Sequence, residues 1–318
     1  MKTTLIIYST LTILLIFSSI KSYSIHSKLQ KSIPDEMFEI AWASPQMTMA
    51  KNKTALLQLY TQDAIVEDPV GTPPLKGQSG LNTFFDTFIA PESNITFMHT
   101  FHIVSEEFKE LILYGNLTVV TKESTAFHPL IVFYTLTPTG PTFKLSSIHG
   151  YWNALEGSTG GGSIWDKVKL ATSIVRGLGL WGAFNYFKGI MYGIGEKGKE
   201  WSRQFYNAMR SKDKDGWKKL FTLGKLPHII VTYTNRRVTY SNEVQYLAYF
   251  WRDLVNNENV KTSIIFDEKD VINAGYSVAG VFQIKINDNH VMNASFINEF
   301  GSNDIQNIRI WIDNVKFT

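Results

Sequence analysis

The sequence predicts an α+β protein of two tandem units, each a curved antiparallel sheet packed on helices, with a helical connector between them. Three observations predict it. Between Pro34 and Trp152, three helix-like segments enclose one short strand and are followed by four long strands, with no βαβ alternation. The same order of patterns returns about 160 residues later, as a duplicated unit would. A run of Gly, Ser and Thr from Gly157 to Gly162 interrupts the chain between the two. The boundaries implied are residues 34–155 for the first unit, 156–197 for the connector and 198–318 for the second.

In the first unit, Pro34-Asp35-Glu36 opens a helix with Met37, Ile40, Ala41 and Ser44 on one side. A second helix covers Lys53 to Tyr60. Ala64 to Asp68 alternates as a short strand and stops at Pro69, and a Gly/Pro loop follows. Leu81, Phe84, Phe85 and Phe88 then recur at helical spacing within a third helix, Ser79–Ile89. Strands are expected at Asn94–Val104, Leu111–Thr121, Phe127–Leu136 and Thr142–Trp152, with Gly115 and Gly140-Pro141 marking turns. A curved sheet wrapped on helices makes a cup, and cups of this kind hold small apolar molecules.

The second unit reads as helices Glu200–Arg210, Asp215–Thr222 and Ser241–Leu254, with a strand His228–Thr234 before the last of them. Strands Val260–Asp267, Val271–Ile286, Val291–Phe300 and Ile305–Asp313 complete it. The place corresponding to Asp68 falls at Val231 to Thr234, without a carboxylate, and Glu299, Asp288 and Asp313 read as solvated strand-end groups. The second unit is therefore expected to be a non-catalytic copy, either a pseudo-dimer partner or a second binding cup.

Composition narrows the function. With 44% hydrophobic and 19% charged residues in 318, the chain has a globular balance. A net charge of +3, no long Lys/Arg block and no aromatic-plus-basic stacking motif argue against nucleic acid. There is no cysteine, and the seven histidines show no metal-ligand spacing, so neither metal nor cofactor is expected.

Lys2 followed by the apolar run Leu5–Ile20 and the small residues Ser22 and Ser24 reads as a signal peptide over residues 1–24. An uncleaved anchor is the alternative, although the run is shorter than the roughly twenty residues of a membrane span. Both place the protein outside the cell or in the endomembrane lumen. Sequons at Asn52, Asn94, Asn116 and Asn293 are then candidate glycan sites.

The most informative segment is Gln58 to Gly77, QLYTQDAIVEDPVGTPPLKG. Tyr60, Asp63, Ala64, Val66, Glu67, Asp68, Pro69, Gly71, Pro73, Pro74 and Gly77 resemble the Y-x-x-D-A-x-V-E-D-P-x-G-x-P-P-x-x-G pattern of the bacterial steroid Δ-isomerases, within the NTF2-like (SnoaL-like) superfamily of cone-shaped domains. The resemblance runs more loosely from Pro34 to Asn153. It implies that Asp68 is a general base that moves a proton between carbons next to a ketone. It also implies hydrogen-bond donors to the enolate oxygen, a Tyr on the first helix and a protonated Asp on a late strand. Here those positions hold Ser44 and Val132, and a supporting tyrosine position holds Phe85.

Tyr134 is on the same strand face as Val132 and is the candidate substitute donor. Tyr60, Phe85, Val132, Ile148, Gly150 and Trp152 are the candidate ligand contacts, while His102, His128 and His149 read as structural. The competing reading of Asp68 is a strand-end residue bonded to its own turn.

Trp165 to Gly195 mixes aromatic and basic residues with six glycines. It suits helices packed between the units, an interfacial helix on a membrane surface, or a span; Gly189 and Gly193 form a GxxxG pair. Three functions remain open: binding of a steroid-, polyketide- or lipid-like molecule, isomerase- or cyclase-type catalysis on a carbonyl compound, and a structural secreted glycoprotein.

Overall fold

The computed structural model describes residues 32–90, 94–120, 125–153, 164–221, 227–242, 245, 250–252, 262–267, 270–286, 290–301 and 304–313. The expected export segment, the Gly157–Gly162 break, Asp288 and most of the helix expected at Ser241–Leu254 lie outside them.

Helix α1 (Ile33–Met49) starts at Ser32, whose hydroxyl accepts the Asp35 N–H, with Pro34, Asp35 and Glu36 in the first turn. Met37, Ala41 and Ser44 form its buried stripe. Helix α2 (Lys53–Leu59) is capped by Asn52 Oδ1, which accepts the Ala55 N–H at 3.1 Å. Strand β1 (Tyr60–Glu67) begins earlier than expected, at Tyr60, and short β2 (Leu75–Lys76) pairs with it. Helix α3 (Gly77–Phe84) runs into a π-helical turn, Phe85–Ile89. Four long strands follow: β3 (Asn94–Ser105), β4 (Glu110–Val120), β5 (Thr125–Thr139) and β6 (Thr142–Tyr151).

The first sheet has the order β2-β1-β6-β5-β4-β3. It is mixed, which corrects the antiparallel expectation: β1 lies parallel to β6, with Glu67 opposite His149. The long crossover through β2, α3 and strands β3 to β5 brings β6 alongside β1 in the same direction. Gly115 does not turn the chain either. It lies inside β4 opposite the bulge at His99–Phe101, where a Cβ would stand 2.1 Å from the Met98 carbonyl oxygen.

The connector is α4 (Ile164–Met191), broken at Gly179, where φ 72 and ψ 170 suit only glycine. Helices α5 (Gly195–Ser211) and α6 (Lys214–Lys219) lead to β7 (His228–Thr232) and β8 (Arg237–Tyr240). The later strands are β9 (Thr262–Phe266), β10 (Ile272–Ala274), β11 (Ser277–Ile286), β12 (His290–Phe300) and β13 (Ile305–Ile312). The expected strand Val271–Ile286 is two strands, folded back at Gly275 (φ 55).

The second sheet, β10-β11-β12-β13-β7-β8 with β9 also on β11, is mixed as well, β7 running parallel to β13. It thus repeats the first sheet, β8 standing for β2 and β7 for β1. Each sheet is packed with helices, an α+β plan.

Alternation along β5 shows how the halves join. Leu130, Val132, Tyr134 and Leu136 face the helices of the first half. Ile131 and Phe133 face the other way, into a core shared with Ile272, Val281, Ile297 and Trp311 of the second sheet. Polar ties cross the same seam: Tyr114 Oη donates to Asp270 Oδ1 at 2.6 Å, and Glu110 accepts from Trp311 Nε1 at 3.0 Å and pairs with Arg237. Tyr114→Phe is expected to lower stability by about 1–3 kcal/mol, the usual cost of removing one partner of a buried charge-assisted bond. A urea midpoint unchanged from wild type would show that this tie contributes nothing.

Candidate functional site

Alternation separates Glu67, the last residue of β1, from Asp68, which follows it. Glu67 faces the outer side of the sheet, where one oxygen accepts the Gly71 N–H at 2.8 Å and the other lies 3.2 Å from His149 Nδ1. The turn after the strand is therefore held by Glu67. Asp68 faces inward. Its Oδ1 accepts the Trp152 indole N–H at 2.6 Å. Gly150 lies against the same carboxylate, where any Cβ would be 2.4 Å from Oδ1. The sequence folds this way because Gly150 and Trp152 occupy alternate positions at the end of β6, facing the same side as Ile148.

Burial pushes the Asp68 carboxyl up to about 6, and the Trp152 N–H opposes part of that rise by stabilising the anion. The side chain keeps partial exposure, so it is a carboxylate at the edge of an apolar core. The Tyr60 hydroxyl meets Ser44 Oγ at 2.8 Å in the interior. The Tyr134 hydroxyl also bonds Ser44, and burial raises both phenols above their ordinary value. The charge of Asp68 adds to the rise in each, which sets the two phenols within its electrostatic reach.

Tyr60, Phe85, Val132, Tyr134 and Ile148 thus share one core cluster, with Trp152 packed against its edge and Gly150 beneath Asp68. His149 lies on the opposite face against Phe133. His102 stacks on Phe38 with ring centroids 3.8 Å apart, and buried His128 lies beside Trp152.

Two residues tied to this arrangement were not among the expected contacts. Ser44 is the hydroxyl that joins both tyrosines; its place on the stripe Met37–Ala41–Ser44 was the available signal. Tyr186 comes from α4, stacks on Phe88 at 5.0 Å, and its raised pKa, set mainly by burial, includes a contribution from Asp68. Its partners Ala183 and Ile190 recur at helical spacing, but the connector is so uniformly apolar that no face stands out.

The second half has no matching arrangement among the described residues. Its core is filled by rings: Tyr206 stacks on Phe296 at 4.0 Å, and Trp217 on Phe250 at 5.8 Å. Tyr233 follows β7 where Asp68 follows β1. Glu299, expected to be solvated, is bonded to Arg309 at 3.1 Å and to Asn307, because the β12–β13 ladder sets them side by side. Asp313 is half-buried and its pKa is raised by that burial. Among the sequons, Asn94 and Asn116 are exposed on neighbouring strands, Asn116 within β4. Asn52 is exposed, and Asn293 is half-buried with its Oδ1 accepting from Gln283. No group of metal-ligating side chains occurs among the described residues.

No protein-family model matches the chain, and no curated protein matches it. Solved structures are similar to parts of it. Rv0760c from Mycobacterium tuberculosis, solved in complex with estradiol-17β-hemisuccinate, is 23% identical over 39% of this chain and 95% of its own, with a TM-score of 0.34. The epoxide hydrolase/cyclase-like enzyme SalBIII, of pyran ring formation in polyether salinomycin, is 18% identical over 37% of this chain and 91% of its own, at 0.33. PrhC from Penicillium brasilianum is 15% identical over 49% of this chain and 98% of its own, at 0.36.

Proposed function

We propose that this is an exported protein whose first half binds an apolar small molecule of steroid, polyketide or lipid-like kind, with Asp68 receiving a hydrogen bond or proton from the ligand's polar end. The observation that carries this reading is an inward carboxylate, pushed up to about 6, on an apolar wall with indole and phenol groups around it. A residue serving only the turn gains nothing from that position, since Glu67 already holds the Gly71 N–H. The apolar cluster suits a hydrocarbon body, and Asp68 with the Ser44, Tyr60 and Tyr134 hydroxyls suits oxygens at its end. Tandem units of the NTF2-like kind, with boundaries at residues 34–155 and 198–318, are part of the same proposal, as are glycans on exposed Asn52, Asn94 and Asn116. An exported carrier of this kind would exchange its cargo at a lipid surface, which gives the aromatic and basic connector a place in the reading.

Gly150→Leu tests the site directly. Its side chain would fill the space held by the Asp68 carboxylate. Affinity for the fluorescent sterol dehydroergosterol, read by tryptophan-sensitised emission, is expected to fall by at least about tenfold, or about 1.4 kcal/mol. Equal affinity in wild type and variant, or none in wild type, would overturn the proposal.

The raised pKa of Asp68 also favours a second reading, an active isomerase on a β,γ-unsaturated ketone. Asp68 would take the proton from the carbon between carbonyl and alkene and return it at the γ carbon, with Tyr134 or Tyr60 donating to the enolate oxygen. Growth of conjugated-enone absorbance, lost in Asp68→Asn, would establish it; no turnover leaves binding alone.

A further inference from the structure

The connector α4 meets the first half with one face and solvent with the other. On the inner face, Ala183 and Tyr186 are buried, Tyr186 stacks on Phe88, and Ser173 Oγ donates to the Thr87 carbonyl at 2.9 Å. Gly189 presses on the loop after Asp68 so closely that a Cβ would stand 2.1 Å from the Gly71 carbonyl oxygen. The helix therefore lies over the segment that carries Asp68, with its break at Gly179.

The outer face is unlike an ordinary solvated surface. Leu180 is 80% exposed, Trp181 75%, Phe184 57% and Met191 64%. At about 100° per residue these four and Lys188 fall within an arc of roughly 100°, a single stripe. Trp181 and Phe184 stack on each other at 5.5 Å, so the aromatic pair is ordered before any partner arrives. Tyr192, also exposed, extends the stripe past the helix end.

Charge indicates what the stripe fits. Residues 164–197 hold five Lys and Arg against Asp166 and Glu196, a charge of +3 that equals the net charge of the whole chain. The connector is therefore a positively charged segment. Arg176, Lys188 and Lys197 are exposed. Aromatic and aliphatic side chains flanked by cations match the boundary between headgroups and acyl chains of an anionic bilayer. No helix among the described residues is long and apolar enough to cross a membrane.

We propose that the outer face of α4, from Leu180 to Tyr192, docks on an anionic lipid bilayer, and that this helix is the lid through which the Asp68 site exchanges its ligand with that bilayer. The second clause rests on the binding function proposed above; the docking itself does not. Seating Trp181 and Phe184 in the interface draws the segment after Gly179 outward so that Tyr186 leaves Phe88, while Gly189 and Gly193 stay packed on Gly71 and Gly275.

Co-sedimentation with vesicles of phosphatidylcholine alone, and of phosphatidylcholine mixed with phosphatidylserine, tests docking. Wild type is expected to bind the mixed vesicles, with an affinity that falls as salt rises. W181E/F184E, altered only at exposed side chains, should bind at least about tenfold more weakly with an unchanged melting temperature. Equal sedimentation of the two proteins would overturn the proposal. So would a concentration-dependent dimer abolished by W181E/F184E without vesicle binding, which would assign the stripe to a second copy of the chain. For the lid, dehydroergosterol transfer from mixed vesicles should slow about tenfold in W181E/F184E, with its affinity in vesicle-free solution unchanged. Vesicle binding without sterol binding in solution would leave docking intact and remove the ligand reading; unchanged transfer despite lost docking would remove the lid.

Discussion

Asp68→Asn is expected to stabilise the protein at neutral pH while removing its proton acceptor. Burial pushes the Asp68 carboxyl up to about 6, against about 3.9 for an unhindered aspartate. Between those values the folded protein keeps a proton that the unfolded chain has released. Stability from this group is complete below pH about 4, declines as pH rises, and is gone above about 6. The ionised side chain thus costs the fold on the order of 1–3 kcal/mol at neutral pH. Asparagine is nearly isosteric, and its amide oxygen can still accept the Trp152 N–H that Asp68 accepts at 2.6 Å.

Urea unfolding of both proteins across this pH range checks the sign. The variant should be the more stable above pH about 6, with the difference vanishing toward pH about 4. Dehydroergosterol affinity should stay within about threefold of wild type if Asp68 serves binding through hydrogen bonding alone. A variant less stable than wild type at neutral pH would show that Asp68 is a structural residue and not a functional group held against the preference of the fold.

Gly71→Ala is expected to have the opposite and larger effect on stability. Gly71 has φ +97, and an added Cβ would be 2.6 Å from the Cα of Gly275 in the β10–β11 turn. Gly189 meets the Gly71 carbonyl, and Gly193 meets the Gly275 carbonyl, each with a hypothetical Cβ at 2.1 Å. Four glycines from the Asp68 loop, the connector and the second half thus meet backbone to backbone, joined by the Ile194 N–H donating to the Gly275 oxygen at 3.0 Å. A side chain there combines left-handed strain with displacement of backbone that cannot yield independently. The expected loss is about 3–5 kcal/mol, read from the urea midpoint. Gly140→Ala is the control: its φ is +63 but nothing lies within 4 Å, so about 1 kcal/mol should be lost. Similar losses in the two variants would show that the junction is not close-packed.

These residues also show where reading the sequence stops. Gly189 and Gly193 signal a close helix contact by their spacing, yet their partners are Gly71 and Gly275, far away along the chain. The corresponding sequence signal is weak because each glycine is explained only by the backbone facing it. Gly115 reads as a turn and is instead a strand residue opposite a bulge, for the same reason.

The sequence by itself determined the order of the helices and long strands of the first half and the shared face of Val132 and Tyr134 on β5, because these follow from periodicities of two and 3.6 residues and from local caps and turns. Only the tertiary structure decided that β1 runs parallel to β6, that Ser44 joins Tyr60 and Tyr134, and that Tyr186 of the connector lies near Asp68. Those facts depend on residues distant in sequence becoming neighbours. Local pattern carries no record of such pairings, since the energy that selects them comes from packing one buried face against another.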